Sequence, residues 1–174
     1  MKFNFWKKKI KLNNSEENQL VKITSFLESI DHKMVDDIKK ILNGEYGLNK
    51  KNSNTTIEYF DFELKEDGFG IDFYPMDKDN TQLGYKKILP EYPNGFLRDM
   101  DLDIDTDNYD FDNDSEMERM DEFYVQLQIK VIDWFHRCWI KAGGLNAKES
   151  YVIKIHDSST MFDLKRQKWS KNNN

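Results

Sequence analysis

Carboxylate side chains are concentrated in one stretch of this chain, between Asp99 and Glu122. Twelve of its twenty-four residues are Asp or Glu, and Arg119 is the single basic residue. The stretch carries a formal charge of about −11, whereas the whole chain carries −6, so the remaining residues carry about +5. Because like charges repel, such a local excess predicts a cationic partner, a bound metal ion or a solvated loop.

Acidic and apolar residues alternate in the first half of this stretch. Successive side chains of an extended strand point to opposite faces. One face would hold Phe96, Arg98, Met100, Leu102 and Ile104, and the other would hold Leu97, Asp99, Asp101, Asp103 and Asp105. The pattern predicts a strand whose apolar face covers a sheet and whose acidic face meets water. A loop anchored by Tyr109 and Phe111 is predicted over residues 106–114.

A row of fixed negative charges could serve as a docking surface for a basic protein domain. It would attract a cationic partner and accelerate association at low salt. Tyr109, Phe111 and Tyr124 could supply aromatic anchors for that partner, or could instead hold the loop to the core. The predicted partner-binding residues are Asp99, Asp101, Asp103, Asp105, Asp107, Tyr109, Asp110, Asp112 and Asp114.

The same stretch also permits a calcium-binding interpretation, because hard cations take several oxygen ligands at alternate positions. The ligands would be Asp103, Asp105, Asp107 and Asp114. Asn108 stands at the sixth position, where such loops carry glycine, and no predicted helix precedes the loop. The pattern therefore favours a solvated acidic surface or a docking surface, and we assign no metal ligand and no cofactor.

Histidine residues offer a second alternative, a hydrolase that uses carboxylates with His156 or His136. Residues 156–159 (HDSS) follow a predicted strand, where catalytic residues often lie, although Asp and Ser are also common in turns. His136 is expected on a helix surface beside Asp133. Cys138 lies on the apolar seam of the same helix and is predicted to be a buried, unreactive thiol. None of these residues is assigned a catalytic role.

Several functional classes lack their usual signatures. The sequence has no phosphate-binding glycine loop, no His-Glu-x-x-His and no Cys-x-x-Cys, and its single cysteine excludes an internal disulfide. It also has no apolar run long enough for a membrane helix or a signal peptide. We therefore expect a cytoplasmic protein without a membrane partner. An acidic chain is not expected to bind nucleic acid, because phosphate contacts need clustered Lys and Arg.

Hydrophobic periodicity predicts two long amphipathic helices. The first runs from an N-cap at Ser15 to Asn43-Gly44, with a possible break at residues 30–32. The second begins with a capping box of Ser115 and Glu118 and ends at Gly143-Gly144. Its apolar seam contains Met117, Met120, Tyr124, Leu127, Val131, Trp134 and Cys138, and is widened by Ile132, Phe135 and Trp139. Part of this broad face could form a homodimer interface.

Period-two patterns predict the strands. Phe60, Phe62 and Leu64 share one face of a first strand, and Phe69, Ile71 and Phe73 share a face of the next, with a turn at Asp67-Gly68. Further strands are predicted over 83–89, 151–155 and 161–164. The order of elements predicts one α+β domain over residues 1–174, in which two amphipathic helices pack on an antiparallel sheet of about four to six strands. Residues 1–14 and 165–174 form its basic ends, and the second is expected to fray except around Trp169.

In size, α+β content and localised acidic charge, the chain resembles the small acidic immunity proteins of bacterial toxin systems. The resemblance implies a non-enzymatic inhibitor that binds and blocks a toxin domain. Such proteins often cover the phosphate-binding cleft of a basic nuclease with carboxylates. No motif carries the resemblance, so it transfers no individual residue.

Overall fold

Three helices and a five-stranded sheet make up the fold, in a computed structural model that describes residues 11–45, 56–65, 69–83, 95–107 and 109–171. The helices are α1 (Asn14–Ser29), α2 (Asp31–Leu42) and α3 (Asp114–Lys141), with a short 3-10 helix at Gly144–Asn146. The strands are β1 (Tyr59–Leu64), β2 (Ile71–Met76), β3 (Ser150–Ile155), β4 (Thr160–Asp163) and β5 (Lys168–Lys171). The predicted α+β class is confirmed, and the first predicted helix does break at Ile30.

The strand order in the sheet is β2-β1-β3-β4-β5. Neighbouring strands are antiparallel except for β1 and β3, which run parallel. The predicted antiparallel sheet is therefore antiparallel at every neighbouring pair of these strands except this one. The long connection from β2 to β3 includes α3, and a connection of this length lets a strand return in either direction.

The N-caps of both long helices lie two residues before the predicted ones. The side chain of Asn13 accepts a hydrogen bond from the backbone nitrogen of Glu16 at 2.9 Å, and the Glu16 carboxylate accepts one from the Asn13 nitrogen at 2.7 Å. This reciprocal pair is a capping box, so Asn13 and not Ser15 caps α1. Asn113 caps α3 in place of Ser115. Asn is as good a cap as Ser, so residue preference alone did not decide between neighbouring candidates.

An aromatic core joins α3 to one face of the sheet. The ring of Phe62 in β1 lies 4.9 Å from that of Phe135 and 5.9 Å from that of Trp139, and Trp139 also contacts Tyr151 in β3 at 4.8 Å. These α3 residues are fully buried within the chain. The broad aromatic face that suggested a dimer interface is therefore covered by the protein's own sheet.

The C-terminal basic residues contribute a strand. Lys168–Lys171 pairs with β4, and the ring of Trp169 lies 5.4 Å from that of Phe162. The expected frayed end is thus an edge strand as far as Lys171, because backbone pairing and one aromatic contact hold it.

Within the described ranges, no helix combines the length and apolar character needed to cross a membrane.

Some sequence predictions fall wholly or partly outside the described residues. The predicted basic N-terminal end is described only from Lys11 onward, and Asn108 and residues 172–174 also lie outside them. The turn at Asp67-Gly68 lies outside them. Of the strand predicted over residues 83–89, only Leu83 is described, and it is not part of a strand. Its neighbour Gln82 forms an isolated bridge with Met76 at the end of β2.

Candidate functional site

The acidic segment, defined here as residues 99–107, is not a strand. No strand occurs within residues 95–107, so the prediction for this region was wrong. The predicted sidedness nevertheless holds for most of the segment, because Met100 and Leu102 are buried. The side chains exposed between and beyond them are those of Asp99, Asp101, Asp103, Asp105 and Asp107. Before Asp99 the sides are reversed, with Leu97 fully buried and Arg98 exposed.

A buried carboxylate from α2 fixes the residues that precede the acidic segment. Oδ2 of Asp37 accepts hydrogen bonds from the backbone nitrogens of Phe96 and of Leu97, the second at 3.2 Å. Asp37 is only 4% exposed. The carbonyl oxygen of Leu97 accepts a bond from the Ile71 nitrogen of β2 at 2.6 Å. A side chain thus satisfies backbone groups that a neighbouring strand would otherwise pair, which explains order without a strand.

Arg98 ties the same region to the face of the sheet opposite α3. Its Nε lies 3.1 Å from Asp72, which also receives Lys65 Nζ at 2.6 Å and the Tyr74 hydroxyl at 2.6 Å. Burial raises the pKa of Asp72, but the bonds from Lys65 and Tyr74 and the charge of Arg98 outweigh it and leave the pKa lowered. Asp72 therefore stays ionised and neutralises Arg98 locally, away from the exposed acidic side chains.

An open groove of about 860 Å³ runs between α1 and the acidic segment. Leu102, Ile104 and Ile23 contribute apolar surface to it, and Phe26 lies along α1 with 42% of its surface exposed. The side-chain amide of Gln19 donates to the Asp103 carbonyl at 3.5 Å. The acidic residues that line the groove are Asp101, Asp103, Asp105 and Asp107, and Lys22 is the one basic residue among the described lining residues.

The one basic residue of the acidic stretch is paired with a buried carboxylate of α1. Arg119 Nε donates to Oε1 of Glu16 at 2.8 Å, and its guanidinium lies 5.9 Å from the centre of the Tyr109 ring. The hydrogen bond that Arg119 donates to Glu16 raises the pKa of Arg119. Glu16 is 4% exposed, so the charge of Arg119 is used inside the fold. Arg119 consequently offsets little of the negative charge of the exposed carboxylates.

Tyr109 and Phe111 have different environments. Tyr109 is buried, and its burial, followed by the nearby Glu16 carboxylate, raises the pKa of its hydroxyl. It therefore anchors the chain and is not accessible to a partner, in contrast to its predicted place in the docking site. Phe111 is 61% exposed and does not anchor the loop as predicted. Tyr124 is half-buried and stacks on Phe69 at 6.2 Å.

Local hydrogen bonds order the exposed residues before α3. Oδ1 of Asp110 accepts from the Asp112 nitrogen at 3.1 Å, and the Asp110 nitrogen donates to Glu116 at 2.8 Å. The side chains of Asp110, Asp112 and Asp114 are exposed but do not line the groove. The nine predicted partner-binding residues therefore divide into four groove residues, four other exposed carboxylates and the buried Tyr109.

The calcium-binding interpretation gains no support from the geometry. In the described part of the chain, no three His, Cys, Asp or Glu side chains are placed to hold one metal ion. Asp105 instead accepts a hydrogen bond from the Asp107 nitrogen at 3.1 Å, as is common in turns.

A separate polar cluster lies on the face of the sheet opposite α3. Nδ1 of His156 is 2.8 Å from Oε1 of Glu63, and Lys154 Nζ lies 2.8 Å from Asp61 and 3.1 Å from Glu63. Burial raises the pKa of Asp61 despite Lys154. Burial also acts to raise the pKa of Glu63, but the bonds from His156 and Lys154 lower it overall.

Only the two residues of β1 in this cluster can be placed on a common face from the sequence. Asp61 and Glu63 alternate with Phe60, Phe62 and Leu64 and so belong to the opposite face of β1. Their contact with Lys154 and His156 depends on the parallel pairing of β1 with β3, in which Glu63 is opposite Lys154. That pairing was not predicted, so these residues were not recognised as a group.

His136 is buried, and its prediction as a surface residue was wrong. Its ring lies 5.0 Å from that of Phe162, and burial lowers its pKa, although Asp133 and a hydrogen bond with the Leu164 backbone act in the opposite direction. The signal was present in the helix period, because position 136 lies four residues after Ile132 and three before Trp139. Both of those residues belong to the predicted apolar face.

Cys138 is a buried free thiol, as predicted. Burial, together with the charge of Asp31, raises the pKa of the Cys138 thiol to about 12. Such a thiol is not ionised near neutral pH, so it does not form a nucleophilic pair with His136.

Comparisons of the chain with protein families, curated proteins and solved structures gave no match. The functional interpretation therefore rests on the geometry of the chain itself. Two arrangements could support a function. One is the acidic groove beside α1, and the other is the cluster of Glu63, Lys154 and His156.

Proposed function

We propose that this chain is a non-enzymatic binding protein, of the immunity type, that neutralises a basic partner domain through its acidic surface. The observation that carries the proposal is the placement of Asp101, Asp103 and Asp105, together with Asp107, along one groove. Met100 and Leu102, on either side of Asp101, are buried and hold this part of the chain in place. An ordered row of exposed carboxylates is complementary in charge to a cationic protein surface.

Pre-ordered charges would act mainly on association. Because Asp37 and Ile71 already hold residues 96 and 97, just before the acidic segment, binding would require little further ordering of the backbone there. The negative field would increase the rate of encounter with a cationic partner, and salt would screen this effect over about 10 Å at 0.1 M ionic strength. If the acidic surface occupied the phosphate-binding cleft of a nuclease, it would block binding of the substrate.

The test uses the domain encoded next to this chain, because immunity proteins and their toxins are commonly expressed together. The neighbouring product's C-terminal domain is expressed alone and together with this chain, and growth and co-purification are measured. We expect rescue of growth and a stable complex. A triple variant, Asp101→Asn, Asp103→Asn and Asp105→Asn, should slow association at least about tenfold at low salt and reduce its salt dependence, with unchanged circular dichroism.

A second triple variant supplies the matched control. Asp110→Asn, Asp112→Asn and Asp114→Asn removes the same charge from exposed positions outside the groove. It should have the smaller effect on association. The proposal is contradicted if neither variant changes the association rate of a partner that does bind.

The contact between His156 and Glu63 favours a second candidate, a hydrolase that uses His156 as a general base. A carboxylate at 2.8 Å from Nδ1 orients the imidazole and stabilises its protonated form. The half-exposed His156 is better suited to this role than the buried His136. Turnover of generic phosphoester or peptide substrates, lost in His156→Ala and retained in His136→Gln, would support this candidate over the binding function.

A further inference from the structure

We infer that the groove between α1 and the acidic segment receives an extended segment of the partner that carries alternating basic and apolar side chains. This inference rests on the proposed function and specifies the part of the partner that is bound. It commits to a protein segment, because the groove combines negative charge with apolar surface. A surface built only for charge would not need the second property.

Charge sets one requirement on the occupant. Four Asp residues line the groove against the single cation Lys22 among the described lining residues. Within the described residues, Asp101 and Asp103 form no ion pair, so their charge faces the groove without internal neutralisation. The occupant must therefore bring Lys or Arg side chains, and an anionic ligand such as a nucleic acid is repelled.

Exposed apolar surface sets the second requirement. Phe26 projects from α1 with 42% of its surface exposed, beside Ile23, Leu102 and Ile104. Covering the exposed part of this ring with an apolar group is favourable because both surfaces leave water, whereas a polar group would lose its hydration there without gaining a hydrogen bond. The occupant must therefore also bring an apolar side chain, which would pack between α1 and the acidic segment.

The length of the groove limits how much of the partner it can hold. The lining residues of α1 extend from Ser15 to Phe26, which corresponds to about 16 Å at a rise of 1.5 Å per residue. An extended chain rises about 3.3 Å per residue, so about five residues fit along the groove. In such a segment, alternate side chains point in opposite directions, so basic residues can face the Asp row while apolar residues face Phe26.

Two synthetic heptapeptides of equal charge serve as probes. One alternates Lys with Leu and the other alternates Lys with Ser, and each carries the same fluorescent label. Their affinities for the full chain are measured by fluorescence anisotropy at about 0.05 M and about 0.3 M salt, between which screening rises strongly. We expect the Leu peptide to bind at least about tenfold more tightly than the Ser peptide, and both to weaken with salt.

Variants of two exposed α1 residues locate the apolar contact. Phe26→Ser should remove most of the advantage of the Leu peptide and leave the Ser peptide unchanged. Val21→Ser is the matched control, because Val21 is 64% exposed on the same helix but does not line the groove. It should change neither affinity. The double variant Asp101→Asn and Asp103→Asn should weaken both peptides.

The outcomes separate this inference from the proposed function. Equal affinities of the two peptides, or no effect of Phe26→Ser, overturn the inference while leaving an acidic docking surface intact. An equal effect of Phe26→Ser and Val21→Ser also overturns it. Insensitivity of both peptides to the Asn variant counts against the acidic surface as well, and absence of binding by both up to about 1 mM overturns the inference.

Discussion

The backbone nitrogen of Leu97 lies 3.2 Å from Oδ2 of Asp37, a carboxylate sixty residues earlier in the chain. The same oxygen accepts a hydrogen bond from the backbone nitrogen of Phe96. One buried side chain of α2 therefore holds the backbone at residues 96 and 97, where the chain approaches the acidic segment. The exposed Asp residues follow immediately, so the geometry of the proposed docking surface depends on a residue that does not belong to it.

Replacing Asp37 should destabilise the fold and loosen the acidic segment. Asp37→Ala leaves two backbone nitrogens without their acceptor, and we expect the free energy of unfolding to fall by about 2–4 kcal/mol. Asp37→Asn retains one acceptor oxygen and should cost less. Urea unfolding measures the stability, and hydrogen exchange at residues 96 and 97 reports the local effect. Equal stability of Asp37→Ala and the unaltered protein would contradict this role.

The acidic alternation shows what sequence periodicity can and cannot predict. It predicted correctly that Met100 and Leu102 are buried while the intervening Asp residues are exposed. It did not predict the absence of a strand, because a strand also needs a backbone partner and the pattern contains no information about one. One oxygen of Asp37 accepts from the nitrogens of residues 96 and 97 in place of a partner strand there, and a contact between residues 37 and 97 leaves no local pattern in the sequence.

The same distinction between local periodicity and distant contacts applies to the buried and paired polar residues. The burial of Cys138 follows from its position on the seam of α3, and the burial of His136 could have been found from its spacing to Ile132 and Trp139. The contact of Glu63 with His156 could not, because it depends on which strands are neighbours. Fold class and sidedness were therefore predictable, whereas contacts between distant elements required the structure.

Stability should decrease in mild acid because of His136. Burial lowers the pKa of His136 in the folded protein, whereas a histidine in an unfolded chain has a pKa of about 6.5. The unfolded state therefore binds the proton more readily, and the contribution is complete above about pH 6.5 and declines as the pH falls below it. His136→Gln should reduce the loss of stability between about pH 7.5 and pH 5.5, as measured by urea unfolding at each pH.

The exposed His32 provides the control for this measurement. His32→Gln makes the same substitution at an exposed histidine on the surface of α2, so it controls for the change of residue type. The pair of Glu63 and His156 is present in all three proteins, so its own pH dependence cancels in the comparison. Identical pH profiles for His136→Gln and His32→Gln would show that His136 does not cause the acid sensitivity.

The 3-10 helix after α3 requires glycine at residue 144. A Cβ atom built there would overlap the indole ring of Trp139, which is itself fully buried. Gly144→Ala should therefore cost about 1–3 kcal/mol, or a fall of several degrees in the melting temperature. Gly143→Asn is the control, because Gly143 has φ of 88° with open space around it, and Asn tolerates this conformation better than most residues. A larger loss in the control would contradict the packing explanation.

The contact of Arg119 with Glu16 should behave as a coupled, partly buried ion pair. Arg119→Met leaves the Glu16 carboxylate with the Asn13 nitrogen but without its cation, and we expect a loss of about 1–3 kcal/mol, since Arg119 retains some solvent contact. Glu16→Gln should also destabilise, because it weakens both the capping box and the ion pair. In the double variant the losses should be less than additive by about 1 kcal/mol. Additive losses in urea unfolding would mean that Arg119 is not held by Glu16, and its positive charge would then be free to offset the acidic surface.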